Sequence, residues 1–201
     1  MVKVIEENHG RVDNYIGDGM VAIFGINDEK NSAEHAVKAA IDMRDEMDDM
    51  KPYLKTMYGK DFDIGIGVHW GSAVVGDIGA GESKRFTAIG DSMNFASRVE
   101  SANKQFKSRV LISDEVYQEV KNNVIVKDYM RTMVKGIEGR VTLHEVEQIH
   151  LTNEIEKLEN VSKTEDGLNW RKCEKVESFD LDPQQVFRIN RETILIVKVD
   201  N

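Results

Sequence analysis

The first apolar spacing along the chain is helical. Val2 and Ile5 share one face of a short segment over 2–8, and Gly10 is placed to end it. Two β-prone runs follow, Arg11-Val12-Asp13-Asn14-Tyr15-Ile16 and Met20-Val21-Ala22-Ile23-Phe24. Gly17-Asp18-Gly19 between them predicts a hairpin with an Asp-Gly turn. From Ser32 the period lengthens: Ala33, Ala36, Val37, Ala40, Ile41 and Met47 fall on one side with Asp and Glu opposite, a helix that Pro52 is expected to end. Ile64, Ile66 and Val68 then alternate as a strand, and Gly71 is expected to turn the chain into Ser72-Ala73-Val74-Val75-Gly76. Past a loop containing Gly76, Gly79 and Gly81 comes the short run Phe86-Thr87-Ala88-Ile89-Gly90. Asp91 is placed to cap a helix reaching about Asn103, with Phe95, Ala96 and Val99 inward. Val110-Leu111-Ile112 reads as a buried strand, and Ser113 as the cap of a helix through Val120. Residues 124–149 alternate toward a second hairpin with Lys135-Gly136 near its turn. Beyond His150 the pattern weakens to a charged helical stretch over 151–165, an aperiodic stretch over 166–192 and one strand over 194–199.

Composition narrows the picture. A chain of 201 residues, 40% hydrophobic and 31% charged, buries enough surface to hold a core without a disulfide or metal staple. Its 27 Lys+Arg against 36 Asp+Glu leave a formal net charge of −9, which repels phosphate backbones and anionic lipids. A broad nucleic-acid face is thereby disfavoured, while a small basic cluster around one phosphate group is not. The single cysteine, Cys173, has no internal partner and points to a reducing compartment. The N-terminus has no signal-peptide pattern. The longest apolar run, Ile194-Leu195-Ile196-Val197, is far short of the roughly 20 residues a span requires, so no membrane segment and a cytoplasmic location are expected.

The familiar catalytic motifs are mostly absent. Gly76 to Gly81 has P-loop spacing, but Glu82 and Ser83 stand where Lys and Ser/Thr are needed. No histidine pair has zinc-site spacing, and His9, His35, His69, His144 and His150 read as surface or satisfied core residues. Asp18 at a hairpin tip is either an ordinary turn residue or a carboxylate able to hold Mg²⁺ beside a triphosphate. Asn94 and Arg98, four apart near a helix start, are either solvated surface or an amide and guanidinium placed to stabilise a phosphoryl group. Thr87 is a strand residue that could read a base edge, and Lys135 a solvated lysine that could reach phosphates.

The order of these residues carries more than any one of them. The string Val12-Asp13-Asn14-Tyr15-Ile16-Gly17-Asp18-Gly19-Met20-Val21-Ala22-Ile23-Phe24-Gly25 resembles the second metal-binding segment of class III nucleotidyl cyclases, the adenylate/guanylate cyclase catalytic domain, bacterial type. Four later segments match in order: Gly65-Ile66-Gly67-Val68-His69-Trp70-Gly71, Val75-Gly76-Asp77-Ile78-Gly79, the stretch from Phe86 through Thr87-Ala88-Ile89-Gly90-Asp91-Ser92-Met93-Asn94-Phe95-Ala96-Ser97 to Arg98, and Val134-Lys135-Gly136.

The resemblance implies an α+β, ferredoxin-like cyclase palm over residues 1–149, with 150–201 as a C-terminal extension of unknown role. It implies conversion of ATP, or GTP, to the 3′,5′-cyclic nucleotide and pyrophosphate, assisted by two Mg²⁺ or Mn²⁺ ions. Asp18 matches a metal aspartate, Asn94 the residue that orients the ribose, and Arg98 the one that stabilises the transition state. Lys135 matches the lysine on the terminal phosphates, and Asn14 and Thr87 the two base-selecting positions. Thr87 is like the adenylyl subgroup, whereas Asn14 stands where adenylyl cyclases usually carry Lys, which leaves the purine open. Sites in the family form between two head-to-tail domains, so a homodimer or a heterodimer with another cyclase domain is implied. The family's first metal aspartate and its central first strand lie farther upstream of Asp18 than this sequence reaches. The sequence is therefore expected to be incomplete at its N-terminus, with two sheet edges left open. The alternative function is a non-catalytic cyclase-homology partner or nucleotide-binding dimerisation domain.

Overall fold

The computed structural model describes residues 1–26, 30–80, 82, 84–133, 139–152 and 189–200. Helix α1 (Val2–Glu7) buries Val4 and Ile5, and the turn out of it falls on His9, at φ 63°, so that Gly10 opens a strand instead of ending the helix. Strands β1 (Gly10–Ile16) and β2 (Gly19–Phe24) form the expected hairpin, irregular between Val12 and Asn14. Helix α2 (Ser32–Tyr58) runs through Pro52 and stops at Gly59, φ 68°. Proline lacks one N–H, but the next turn is held by Thr56 Oγ1, which donates to the Pro52 carbonyl at 2.9 Å. The small residues Ala33, Ala36, Ala39 and Ala40 bring this helix close to the sheet, and Met43 and Met47 fill the gap beyond them.

Strand β3 (Asp63–Ile78) continues through Gly71 with no turn. A Cβ there would lie 2.5 Å from Ser92 Oγ, and one at Gly67 2.2 Å from the Glu100 backbone nitrogen. These glycines let a helix lie against the strand. That helix is α3 (Asp91–Phe106), entered from β4 (Arg85–Ile89), which pairs antiparallel with the far end of β3. Gly90 occupies the cap position and Asp91 the first turn, with no side-chain cap. Then come β5 (Val110–Ser113), α4 (Asp114–Val120) and the hairpin β6 (Val124–Met133) and β7 (Arg140–Ile149), whose turn lies outside the described residues.

The last strand, β8 (Ile189–Asp200), sits in the middle of the sheet. Strand order is β1-β2-β8-β3-β5-β7-β6, with β4 paired to β3 off this path. β8 is antiparallel to β2, from Met20↔Val197 to Phe24↔Thr193, and to β3, from Asp63↔Asp200 to Val74↔Ile189. The two open sheet edges that were expected are therefore absent: between β2 and β3 the C-terminal strand pairs with both rows of backbone groups. The charged helical stretch and Trp170, Phe179 and Phe187 lie outside the described residues. Successive strand residues face opposite layers. Ala22, Phe24, Val110, Ile112 and Leu195 pack with α2, while Val21 meets Ala96 and Leu111 meets Phe95 and Val99 of α3. The α3 face carries the candidate site.

Candidate functional site

Asp18 lies in the β1–β2 turn between Gly17, whose φ of 61° suits a residue without Cβ, and Gly19. Its side chain is exposed and free to meet a cation. Asn14 lies near the same end of β1, also exposed, with Arg85 Nη2 3.5 Å from its amide oxygen. Asp13 falls at the irregularity in the β1–β2 register. Across from it, Thr87 of β4 donates its hydroxyl proton to Asp13 Oδ2 at 3.0 Å. Asp13 Oδ1 is buried and meets no donor among the described residues.

The start of α3 is pinned to β3 by Ser92 Oγ, which donates to the Ser72 carbonyl at 2.7 Å. With Phe95, Ala96 and Val99 turned to the sheet, Asn94 and Arg98 point away from it, as the helical spacing predicted. Two cavities meet at Asn94. One, of about 260 Å³, is lined by Asp13, Asn14, Val21, Thr87 and Met93 as well as Asn94. The other, of about 520 Å³, is lined by His69, Asp91, Asn94, Arg98 and Glu115 among others. One chain thus brings Asn14, Thr87, Asn94 and Arg98 along a continuous wall. Asp18 lines neither cavity, and Lys135 lies outside the described residues.

Behind the larger cavity, His69 is buried with Nδ1 2.9 Å from Ser113 Oγ and 3.6 Å from Glu115 Oε2, its ring edge-on to Phe95. Burial pushes its pKa from 6.5 down to about 4, against the pull of Glu115, so at neutral pH it is an uncharged wall. His144 Nε2 is 2.9 Å from Asp114 Oδ1 and its ring stacks on Tyr117. Both are satisfied core histidines, as the sequence suggested. Asp13 was not visible as a site residue: strict alternation puts it on the face opposite Asn14, and only the register irregularity brings both to one cavity.

A two-ion site needs a second carboxylate. Among the described residues no group of three or more His, Cys, Asp or Glu side chains is placed to hold a metal ion. Asp63, on the strand next to β8, is already engaged by Arg109 Nε at 2.7 Å and Lys51 at 3.4 Å. No described helix is long and apolar enough to cross a membrane.

Comparison with known proteins identifies the family and the fold. The profile of the adenylate and guanylate cyclase catalytic domain family matches residues 1–161. An adenylate cyclase of Anabaena cylindrica is 32% identical over 156 residues, 73% of this chain, and the chain spans 30% of that relative's length. The crystal structure of the adenylyl cyclase CyaB from P. aeruginosa superposes with a TM-score of 0.66 at 28% identity, covering 74% of this chain and 76% of that one. The guanylate cyclase domain of RhGC from Catenaria anguillulae, in complex with GTP, gives 0.59 at 25% identity, covering 74% and 78%.

Proposed function

Because the chain belongs to the adenylate and guanylate cyclase catalytic domain family, we propose that it converts ATP to 3′,5′-cyclic AMP and pyrophosphate. The observation that carries this reading is the shared wall: Thr87 and Asn14 line the smaller cavity, Arg98 the larger, and Asn94 both. A nucleotide with its base in the first and its phosphates in the second has its ribose beside Asn94. The amide then holds the ribose so that the 3′-oxygen faces the α-phosphorus in line with the leaving pyrophosphate. As the 3′-hydroxyl gives up its proton to solvent, the new P–O bond forms and the old one breaks, negative charge grows on the transferring phosphoryl oxygens, and the Arg98 guanidinium, a bidentate donor, offsets it. No protein nucleophile is required. Lys135, in the β6–β7 connection, would neutralise the terminal phosphates.

Family members depend on divalent metal, and Asp18 is the side chain here that would hold Mg²⁺ or Mn²⁺ and supply its charge to the phosphates. Since Asp18 lines neither cavity of its own chain, the reading pairs it with the Asn94–Arg98 wall of a second cyclase domain, head to tail. The purine is taken as adenine on the strength of Thr87, with GTP the alternative.

The test is formation of cyclic product by the purified chain with ATP or GTP and Mn²⁺. Arg98→Ala is expected to lower kcat by about 10²–10³-fold with little change in KM, the mark of an interaction made in the transition state. A comparable rise in KM with kcat preserved would remove Arg98 from that role.

A further inference from the structure

We propose that Asp13 sets purine choice by fixing the Thr87 hydroxyl as a hydrogen-bond acceptor toward the 6-amino group of adenine. The proposal rests on the reading of this site as a nucleoside triphosphate site and names the base it selects.

A threonine hydroxyl has one proton and two lone pairs, and free to rotate it reads donors and acceptors alike. Here the proton is committed: Thr87 Oγ1 donates to Asp13 Oδ2 at 3.0 Å. The commitment is strong because Asp13 has little else. Its Oδ1 is buried without a donor among the described residues, so turning the Thr87 proton toward a ligand strips the carboxylate of the one side-chain donor it has there. What Thr87 then offers the smaller cavity is lone pairs alone. An exocyclic amino group at position 6 of a purine answers them, whereas a 6-oxo group sets oxygen against oxygen. The Asn14 amide lines the same cavity and has N–H donors for the neighbouring ring nitrogen.

Backbone geometry makes the arrangement possible. In an unbroken strand Asp13 and Asn14 would face opposite sides of the sheet. The register shift between Val12 and Asn14 breaks the alternation, and both residues line one cavity with Thr87. Asp13 is thus a positioning residue, acting through Thr87 rather than on the base.

The experiment compares kcat/KM for ATP and GTP, and equilibrium binding of both nucleotides, in the unaltered chain, Asp13→Asn, Thr87→Val, Thr87→Ser and the Asp13→Asn/Thr87→Val pair. The unaltered chain is expected to prefer ATP, and Asp13→Asn to narrow the ATP:GTP ratio by about tenfold or more, because an amide can donate to Oγ1 and release its proton toward a 6-oxo group. Thr87→Ser is expected to keep the preference. Thr87→Val is expected to abolish it and to make Asp13→Asn without further effect. A merely structural role for Asp13 would lower both purines together along with the melting temperature. That outcome, an unchanged ratio in Asp13→Asn, or additivity with Thr87→Val overturns the proposal. Cyclic product with an unchanged ratio leaves the cyclase reading standing and removes this one. Asp13-dependent preference for ATP in binding, without cyclic product, does the reverse. A chain that binds neither purine overturns both.

Discussion

Burial holds the His69 imidazole at a pKa of about 4 rather than 6.5, even with the Glu115 carboxylate 3.6 Å away. The consequence for stability has a definite sign. Above about pH 6.5 the ring is neutral in folded and unfolded chains alike. As pH falls from there toward 4, the unfolded chain takes up a proton that the folded chain refuses, so the folded state loses up to about 3 kcal/mol. Asp48, held down to about 2 by its hydrogen bonds to Arg109 and then Lys51, responds only below its ordinary 3.8 and leaves the His69 window clear. Denaturant midpoints measured between pH 7 and 4.5 are expected to fall in the unaltered chain and to stay much flatter in His69→Gln. Equal slopes in the two would mean that His69 is not the proton-linked group. Single residues of this kind were partly readable beforehand. Asn94 and Arg98 share a face because α-helical spacing is local and fixed, and Asp18 is at a tip because Gly-Asp-Gly leaves it nowhere else. Asp13 escaped because its placement depends on a break in strand alternation, which side-chain identity does not announce.

At the level of elements, what could be read depended on how local the determinant is. The β1–β2 hairpin is specified by its own turn residues, and α3 by the spacing of Phe95, Ala96 and Val99. Pro52 misled because one missing N–H at an exposed position nearly two turns from the helix end does not outweigh the hydrogen bonds around it. Gly71 looked like a turn but provides room for Ser92 in an unbroken strand. β8 illustrates the limit: its short apolar run marked a strand, but its partners are Met20–Phe24 and Asp63–Val74, remote in sequence. Central insertion predicts a particular sensitivity. Leu195 is fully buried in the α2-side core, opposite Ala22 and Val68. Leu195→Ala is expected to cost about 2–5 kcal/mol in denaturant unfolding, whereas at a tail lying on the surface the same change would cost less than about 0.5 kcal/mol. A midpoint within error of the unaltered chain would place β8 outside the core.

The whole molecule separates its candidate chemistry into a cavity wall and an exposed carboxylate. Asn14, Thr87, Asn94 and Arg98 share one continuous wall, while Asp18, exposed in the hairpin turn, itself lines neither cavity. Exposed apolar side chains accompany this division: Tyr15 and Ile16 flank the tip, and Val74 and Ile89 face outward on the β3–β4 arm. A head-to-tail pair would cover these and bring the carboxylate of one chain to the guanidinium of the other, giving two equivalent sites per dimer. Mixing two inactive variants separates this arrangement from a site built within one chain. Asp18→Asn and Arg98→Ala are each expected to be nearly inactive alone, because every site in either homodimer lacks one of the two groups. After exchange of subunits about half the dimers are mixed, and each has one site with both groups intact and one with neither, so roughly a quarter of unaltered activity should return. The recovery should vanish on dilution below the dimer dissociation constant and return on concentration. If each chain carried a self-contained site, no ratio or concentration of the two variants would restore turnover.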